Sequence, residues 1–121
     1  MTLAAPALSG ETPWQEIAPG TLMRVIADDA SDAQGRTWIA LEIDLAPGTN
    51  TYWSLPGETG IPITVGLEGG GARIVETAWP YPTREDGPYL DYVYYEHLVL
   101  PMAVEGAADG ELARLDALLG L

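Results

Sequence analysis

Cysteine, phenylalanine and lysine are all absent from this chain of 121 residues. Without cysteine the chain can form no disulfide framework, no thiolate nucleophile and no cysteine-based metal site. Without phenylalanine, four tryptophans and six tyrosines supply all the aromatic volume. Tryptophan and tyrosine are therefore the side chains on which cores and contact surfaces of this protein must depend.

Basic residues are scarce. Eighteen acidic residues face only five arginines, which gives a formal net charge of -13. Long-range attraction to nucleic acid or to an anionic membrane surface is thereby excluded as a basis for partnership. The acidic side chains are expected to coat a soluble surface.

Long apolar runs are also missing, because proline, glycine or a charge interrupts each of them well short of about 18 residues. No membrane insertion is expected. The opening MTLAAPALSGETPW has neither a basic n-region nor a continuous apolar h-region, so it is not an intact signal peptide. Residues 1–13 are small and proline-rich and are predicted to form a flexible arm, and residues 14–121 a single domain.

Glycine and proline are abundant, with fourteen and ten residues, and few windows remain for a helix. This composition favours an all-β fold of short antiparallel strands, a sandwich or a barrel. The predicted core holds Ile39, Leu41, Ile43, Val65, Leu98 and Leu100. Strands are predicted over Thr21–Ala27, 36–45, Ile63–Leu67, 72–80 and 89–104.

Three segments between or after these strands are expected to be irregular or have an ambiguous secondary structure. Asp28–Arg36 is predicted to be a turn, and three glycines at 69–71 are predicted to form a hairpin turn and not a phosphate loop. The last segment, LARLDALLGL, fits helical spacing through Leu112, Leu115 and Leu119. It fits strand alternation equally well, and the residues alone leave both open.

The stretch from Leu45 to Pro62, LAPGTNTYWSLPGETGIP, is the most unusual part of the chain. Its prolines and glycines are predicted to forbid a long regular element. Tyr52 and Trp53 are adjacent large aromatic residues within it. Irregular backbone that presents large aromatics is a common place for a binding site.

Candidates for catalysis are few. His97 is the only histidine, so a catalytic triad or a histidine metal site would have to include it, and no accompanying motif is present. A metallo-hydrolase at His97 is therefore one open hypothesis, and a strand histidine bonded to its surroundings is the other. Glu42 and Asp44 lie at i, i+2 on a strand and are expected to be exposed on an outward face. No catalytic residue, metal or cofactor is predicted.

Aromatic residues are the better candidates, either as core or as a surface for a partner. An all-β module that binds carbohydrate or peptide through them is a second hypothesis for function. The candidate binding residues are Tyr52, Trp53, Trp79, Tyr81, Tyr95 and His97.

Four sequence motifs in order, LAPGTNTYW, SLPGETGIP, AWPYP and YYEHLVLPMAV, resemble the periplasmic amino-terminal domain of DsbD-type protein-disulfide reductases. The aromatic pair of that family falls on Tyr52 and Trp53. The remaining motif positions fall on Pro56, Gly57, Gly60, Pro62, Trp79, Pro80, Pro82, Tyr95, Leu100 and Pro101.

The resemblance implies an immunoglobulin-like antiparallel β-sandwich located in the periplasm, with a thiol-redox protein or a membrane redox partner. It also implies that the last segment is the strand that leads into a C-x-x-x-C pair in the family. This chain has no cysteine and ends at Leu121, where the first of that pair would be expected. The expectation is an interaction domain that is redox-inert by itself, because thiol-disulfide exchange needs a thiol.

Overall fold

The computed structural model describes residues 2–3, 10–68, 72–106 and 114–121. Within these ranges the secondary structure consists of strands and turns, and there is no helix long and apolar enough to cross a membrane. The strands are β1 (Thr2–Leu3), β2 (Gly10–Glu11), β3 (Gln15–Ala18), β4 (Thr21–Ser31), β5 (Thr37–Asp44), β6 (Asn50–Gly57), β7 (Thr64–Glu68), β8 (Arg73–Thr77), β9 (Thr83–Glu85), β10 (Asp91–Tyr95), β11 (His97–Glu105) and β12 (Arg114–Leu118).

These strands form one large and two small antiparallel sheets. The large sheet has the order β2-β4-β5-β11-β8, with β3 also paired to β4. The small sheets have the orders β6-β10-β9 and β1-β12-β7. One hydrophobic cluster joins residues of all three sheets, so the large sheet forms one layer of a sandwich and the two small sheets form the other.

Alternation along the strands builds the core. On β5 the odd-numbered residues Ile39, Leu41 and Ile43 are buried, and their neighbours are not. Leu98 and Leu100 of β11 pair with Ile43 and Leu41 and are buried with them. The predicted core is thus confirmed for these residues. Val65 packs against the core but is only partly buried.

In the ambiguous last segment the structure describes residues 114–121, of which Arg114–Leu118 form a strand, whereas Leu112 lies outside the described residues. In β12, Leu115 pairs with Leu67 and Ala117 pairs with Val65 of β7. Leu115 is fully buried, and Ala117 is nearly so. Burial of every second residue against a neighbouring strand identifies this part of the segment as a β-strand and not a helix, as the family resemblance implied.

The turn predicted over Asp28–Arg36 is too long, because β4 continues to Ser31 and a bulge keeps Ser31 paired with Thr37. The turn is confined to 32–36. The Asp32 carboxylate accepts hydrogen bonds from the backbone of Gln34 and Arg36 and from the side chains of Arg36 and Trp38. Desolvation opposes ionisation, but these bonds outweigh it and lower the pKa of Asp32 to about 2.

The prediction that Leu45–Pro62 forbids a long regular element is wrong, because β6 spans eight of its residues. Pro56 lies within this strand. It is tolerated because β6 is at the edge of its sheet, where a missing N–H breaks no ladder on the outer side.

The long strand predicted over 89–104 is in fact two strands in different sheets. Glu96 separates them with a φ of 62°, a left-handed conformation that turns the chain from β10 into β11. Its carbonyl accepts a hydrogen bond from the backbone N–H of Leu45 at 2.6 Å. The even-numbered residues Tyr94, Leu98 and Leu100 lie in the core on both sides of Glu96, so the parity inferred for the run holds although its two halves belong to different sheets.

The flexible arm predicted over 1–13 falls partly outside the described residues, and the glycine hairpin predicted at 69–71 falls wholly outside them. In the described part of the arm, Thr2 pairs with Asp116 and Gly10 with Ala27. Thr12 is buried, and its hydroxyl accepts a hydrogen bond from the N–H of Val25 at 2.8 Å. The division into an arm and a domain stays a prediction.

Candidate functional site

A cleft of about 520 Å³ opens at one end of the sheet β6-β10-β9. We call it the aromatic cleft. It is lined by Trp53, Ser54, Trp79, Pro80, Tyr81, Pro82, Arg84 and Tyr92. Its volume lies within the usual range of ligand sites, roughly 300 to 1,000 Å³.

The floor of the aromatic cleft is a continuation of the core. Thr51 of β6 and Tyr94 of β10 are paired and buried, so their side of the sheet faces the interior. Further along the same side lie Trp53 and Tyr92, whose rings meet edge to face with centroids 5.5 Å apart. Beyond these two rings the sheet extends past the core, so the face on which Tyr94 is buried becomes exposed to solvent.

The wall of the cleft is the segment from Trp79 to Pro82, which is held in place at two points. The N–H of Ala78 donates to the carbonyl of Pro101 at 2.9 Å, and the hydroxyl of Tyr94 donates to the carbonyl of Pro80 at 2.8 Å. Burial raises the pKa of Tyr94 to about 12, which keeps this hydroxyl protonated as a donor. The wall is therefore fixed to both layers of the sandwich.

Several polar side chains of the aromatic cleft have no hydrogen-bond partner within the part of the chain that the structure describes. The indole N–H groups of Trp53 and Trp79 and the hydroxyls of Tyr81 and Tyr92 have no hydrogen-bond partner there. The ring of Tyr81 is almost fully exposed, at 98%. Arg84 spans two residues to Asp86, with its Nε 3.1 Å from a carboxylate oxygen.

The opposite face of the same small sheet carries Tyr52 and Tyr95, and here the side chains are engaged. A Cβ atom added at Gly60 would lie 2.2 Å from Cδ1 of Tyr52, and one at Gly120 would lie 3.3 Å from Cδ2. The Tyr52 ring is thus packed between two glycines. The hydroxyl of Tyr95 donates to Glu85 at 2.6 Å, and this bond and desolvation raise the pKa of Tyr95.

Residues 58–60 are clamped to β10 beside Tyr52. The N–H of Leu90 donates to the Glu58 carboxylate at 2.6 Å, and the N–H of Glu58 donates to the carbonyl of Leu90 at 2.9 Å. Asp91 accepts from the hydroxyl and the N–H of Thr59, at 2.5 and 2.9 Å. Those bonds, the hydroxyl bond first, lower the pKa of Asp91. This loop is therefore a structural support.

His97 lies elsewhere, on the outer face of the large sheet. Its Nε2 is 2.6 Å from one oxygen of Glu42, and Nε of Arg24 donates to the other oxygen at 2.5 Å. Desolvation opposes ionisation of Glu42, but the bonds from Arg24 and His97 prevail and lower its pKa. Glu42 is thus held between Arg24 and His97 and has only 12% of its side chain exposed, so its expected exposure is wrong.

No group of three or more His, Asp or Glu side chains suited to hold a metal occurs in the described ranges. Around His97 the structure shows an interstrand polar pair with Glu42, not a set of convergent ligands. This arrangement agrees with the hypothesis that His97 is a strand histidine bonded to its surroundings.

The sequence of this chain matches a model of a known protein family. The model described as "Thiol:disulfide interchange protein DsbD, N-terminal" matches residues 22–118. The chain belongs to this family. The match covers the strands from β4 to β12, including both faces of the sheet that carries the aromatic cleft.

Among solved structures, the chain is similar to the N-terminal periplasmic domain of ScsB from Proteus mirabilis, with a TM-score of 0.68 and 23% sequence identity. The similarity covers 95% of this chain and 49% of the ScsB chain, so the present chain spans about half the length of that structure. The shared fold confirms the predicted all-β, immunoglobulin-like antiparallel sandwich. No curated protein matches the sequence.

Positions of the DsbD N-terminal motifs have distinct places in this structure. Trp79, Pro80 and Pro82 form the cleft wall, and Leu100 is buried, whereas the carbonyl of Pro101 anchors the wall. Gly57 ends β6 with a φ of 89°.

The candidate binding residues do not form one surface. Trp53, Trp79 and Tyr81 meet in the aromatic cleft, Tyr52 and Tyr95 lie on the opposite face, and His97 lies on the other layer. Sequence reasoning missed Arg84 as a member of the cleft. The signal that could have found it is its position two residues after Pro82, in the short strand β9, where it pairs with Tyr92 of the cleft floor.

Proposed function

We propose that this domain is a periplasmic interaction domain of a thiol:disulfide interchange system and is itself redox-inert. One observation carries the proposal: the DsbD N-terminal family model matches residues 22–118, while the 121 residues contain no cysteine. Thiol-disulfide exchange proceeds by attack of a thiolate on a disulfide, so these residues can bind a redox partner but cannot exchange with it.

In this proposal the partner is a periplasmic thiol-redox protein or a membrane redox protein. The periplasmic location is supported by membership of the DsbD N-terminal family and by the similarity to a ScsB domain that is itself periplasmic. A parent protein would pass electrons from the membrane partner to periplasmic substrates. The present domain would supply recognition, and other domains would supply the thiols.

The first test is to read the gene on both sides of the segment that encodes these residues. A C-x-x-x-C pair or a thioredoxin-like domain in the same reading frame supports the proposal. The absence of any cysteine-bearing domain there, and in neighbouring genes, would count against it.

The second test is calorimetric titration of the domain with the thiol-redox domains that this reading frame or its neighbours encode. We expect binding that survives reduction by dithiothreitol and replacement of the partner's reactive cysteines by serine, because this chain contributes no thiol to the contact. Failure to bind any of them at near-millimolar concentration would contradict the proposal.

A second candidate function is an immunoglobulin-like binding module for carbohydrate or peptide. The aromatic cleft favours it, because large aromatic rings with free polar groups line a preformed concave surface. The two candidates are compatible in one domain. They differ in the class of ligand that binds.

A further inference from the structure

All six polar side chains that line the aromatic cleft can donate a hydrogen bond, and three of them can only donate. Indole N–H and guanidinium groups only donate, and the cleft has Trp53, Trp79 and Arg84. Tyrosine and serine hydroxyls can donate or accept. Among the described residues, no carboxylate or carboxamide side chain lines the cleft. A ligand for this site must offer acceptors on an otherwise apolar body.

We propose that the aromatic cleft binds a proline-rich, basic polypeptide segment in the polyproline II conformation. This inference rests on the second candidate function above and chooses peptide over carbohydrate. Proline residues present a carbonyl acceptor and an apolar ring but no N–H donor. The polyproline II backbone makes no internal hydrogen bonds, so its carbonyls are available to the indole and hydroxyl donors of a groove.

Carbohydrate fits the cleft less well. Each sugar hydroxyl is a donor as well as an acceptor, and in a desolvated site a donor without a partner costs about 1 to 3 kcal/mol. The described lining offers as acceptors only backbone carbonyls and the hydroxyls of Ser54, Tyr81 and Tyr92. Proline-rich backbone makes no such demand, since it brings few donors of its own.

Charge complementarity specifies the basic flanks. The chain carries a net charge of -13, and Arg84, the cation among the described lining residues, is paired with Asp86. Basic residues that flank the prolines would be attracted by the surrounding field, which raises the association rate at low salt. An acidic proline-rich segment would be repelled by the same field.

Rigidity of the cleft favours binding without a large ordering cost. Both hydrogen bonds of the wall, from Ala78 to Pro101 and from Tyr94 to Pro80, join it to the sandwich. The edge-to-face contact of Trp53 with Tyr92 fixes the floor. A preformed groove and a ligand already biased to one conformation lose less conformational entropy than two flexible partners.

The test uses the full chain and three synthetic probes, followed by indole N–H signals in NMR and by tryptophan fluorescence. The probes are a decapeptide of alternating proline and alanine flanked by two arginines, the same peptide with every proline replaced by alanine, and cellohexaose. We expect shifts of the Trp53 and Trp79 indole signals with the proline peptide, and at least tenfold weaker binding of the alanine peptide.

Variants assign the binding to the cleft. Tyr81→Ala should weaken the proline peptide at least fivefold, and Trp79→Phe, which keeps a ring but removes the N–H, should weaken it too. Tyr89→Ala is the matched control, because Tyr89 is also exposed but lies outside the cleft. Circular dichroism and the thermal midpoint show that each variant is folded.

Three results would overturn the inference. One is the absence of indole shifts at millimolar proline peptide, and another is unchanged binding in Tyr81→Ala. The third is binding of cellohexaose in place of the peptide at the same indoles. That last result would leave the carbohydrate half of the second candidate function standing, and none of the three bears on the proposed redox partnership.

Discussion

The two faces of the sheet β6-β10-β9 both carry large aromatic residues, but the contacts of these residues differ between the faces. On one face Tyr52 is packed between Gly60 and Gly120, and the Tyr95 hydroxyl is bonded to Glu85. On the other face, Trp53 and Tyr92 contact each other but leave their polar groups free within the described residues. An aromatic residue that supports the fold therefore differs from a candidate ligand contact mainly in whether its ring is packed and its polar group is hydrogen-bonded within the protein.

The consequence for mutation is a contrast in stability. Changes on the face of Tyr52 should disturb packing and the clamp formed by residues 58–60. Changes at the exposed part of the aromatic cleft should leave the fold unaffected. Three experiments test this contrast, beginning with the largest expected effect.

Gly57→Ala should lower the free energy of unfolding by about 4 kcal/mol, which sums the strain of a left-handed residue and a forced backbone shift. Gly57 has a φ of 89°, and a Cβ there would lie 2.2 Å from the carbonyl oxygen of Leu90. Gly35→Ala is the control, with a φ of 75° and nothing within 4 Å of the added Cβ. Urea unfolding measures the free energy of unfolding of both variants. Equal losses would show that the close approach of Gly57 to Leu90 adds no cost of its own.

Tyr52→Ala should destabilise the domain by about 2 to 3 kcal/mol, since it removes a partly buried ring from between two glycines. Tyr81→Ala should change the free energy of unfolding by less than about 0.5 kcal/mol, because the ring of Tyr81 is 98% exposed. Chemical denaturation of the two variants compares the faces directly. A large loss in Tyr81→Ala would remove the distinction between them.

Asp91→Asn should have the smallest effect and should show it as a change in pH dependence. The pKa of Asp91 is lowered in the folded state, so its ionisation stabilises the fold above the unfolded-state pKa, and this contribution is lost as the pH falls through the folded pKa. Thermal midpoints measured between neutral and strongly acidic pH should therefore decline less steeply in the variant. Asp86→Asn, at the exposed pair with Arg84, is the control.

An identical acid decline in wild type and Asp91→Asn would show that the Thr59 bonds contribute nothing to the clamp. A change in Asp86→Asn as large as that in Asp91→Asn would also contradict the assignment, because it would point to general surface charge.

Much of the fold could be predicted because alternation is a local property. The buried residues of β5 could be identified from the sequence, as could the absence of disulfides. The break at Glu96 could not, because one residue in the left-handed region leaves no mark on hydrophobicity. Nor could the extension of β4, since a bulge changes register without changing composition.

The sequence indicated which types of residue form the candidate site, but not where in the fold these residues lie. Tyr52 and Trp53 are adjacent in sequence, but successive side chains of a strand point to opposite faces, so this pair is divided between packing and cleft. Trp53 meets Tyr81 only because the segment at 79–82 is tied to Tyr94 and Pro101. Those ties are long-range contacts that no local pattern reports.

By itself the sequence determined that this chain is an acidic, all-β domain of the DsbD N-terminal family in which these residues supply no thiol. Such properties follow from composition, alternation and short motifs. Only the tertiary structure decided which aromatic residues support the fold and which remain free to contact a ligand. That distinction depends on which polar groups and ring faces meet across strands far apart in the chain, and the distances between them arise only on folding.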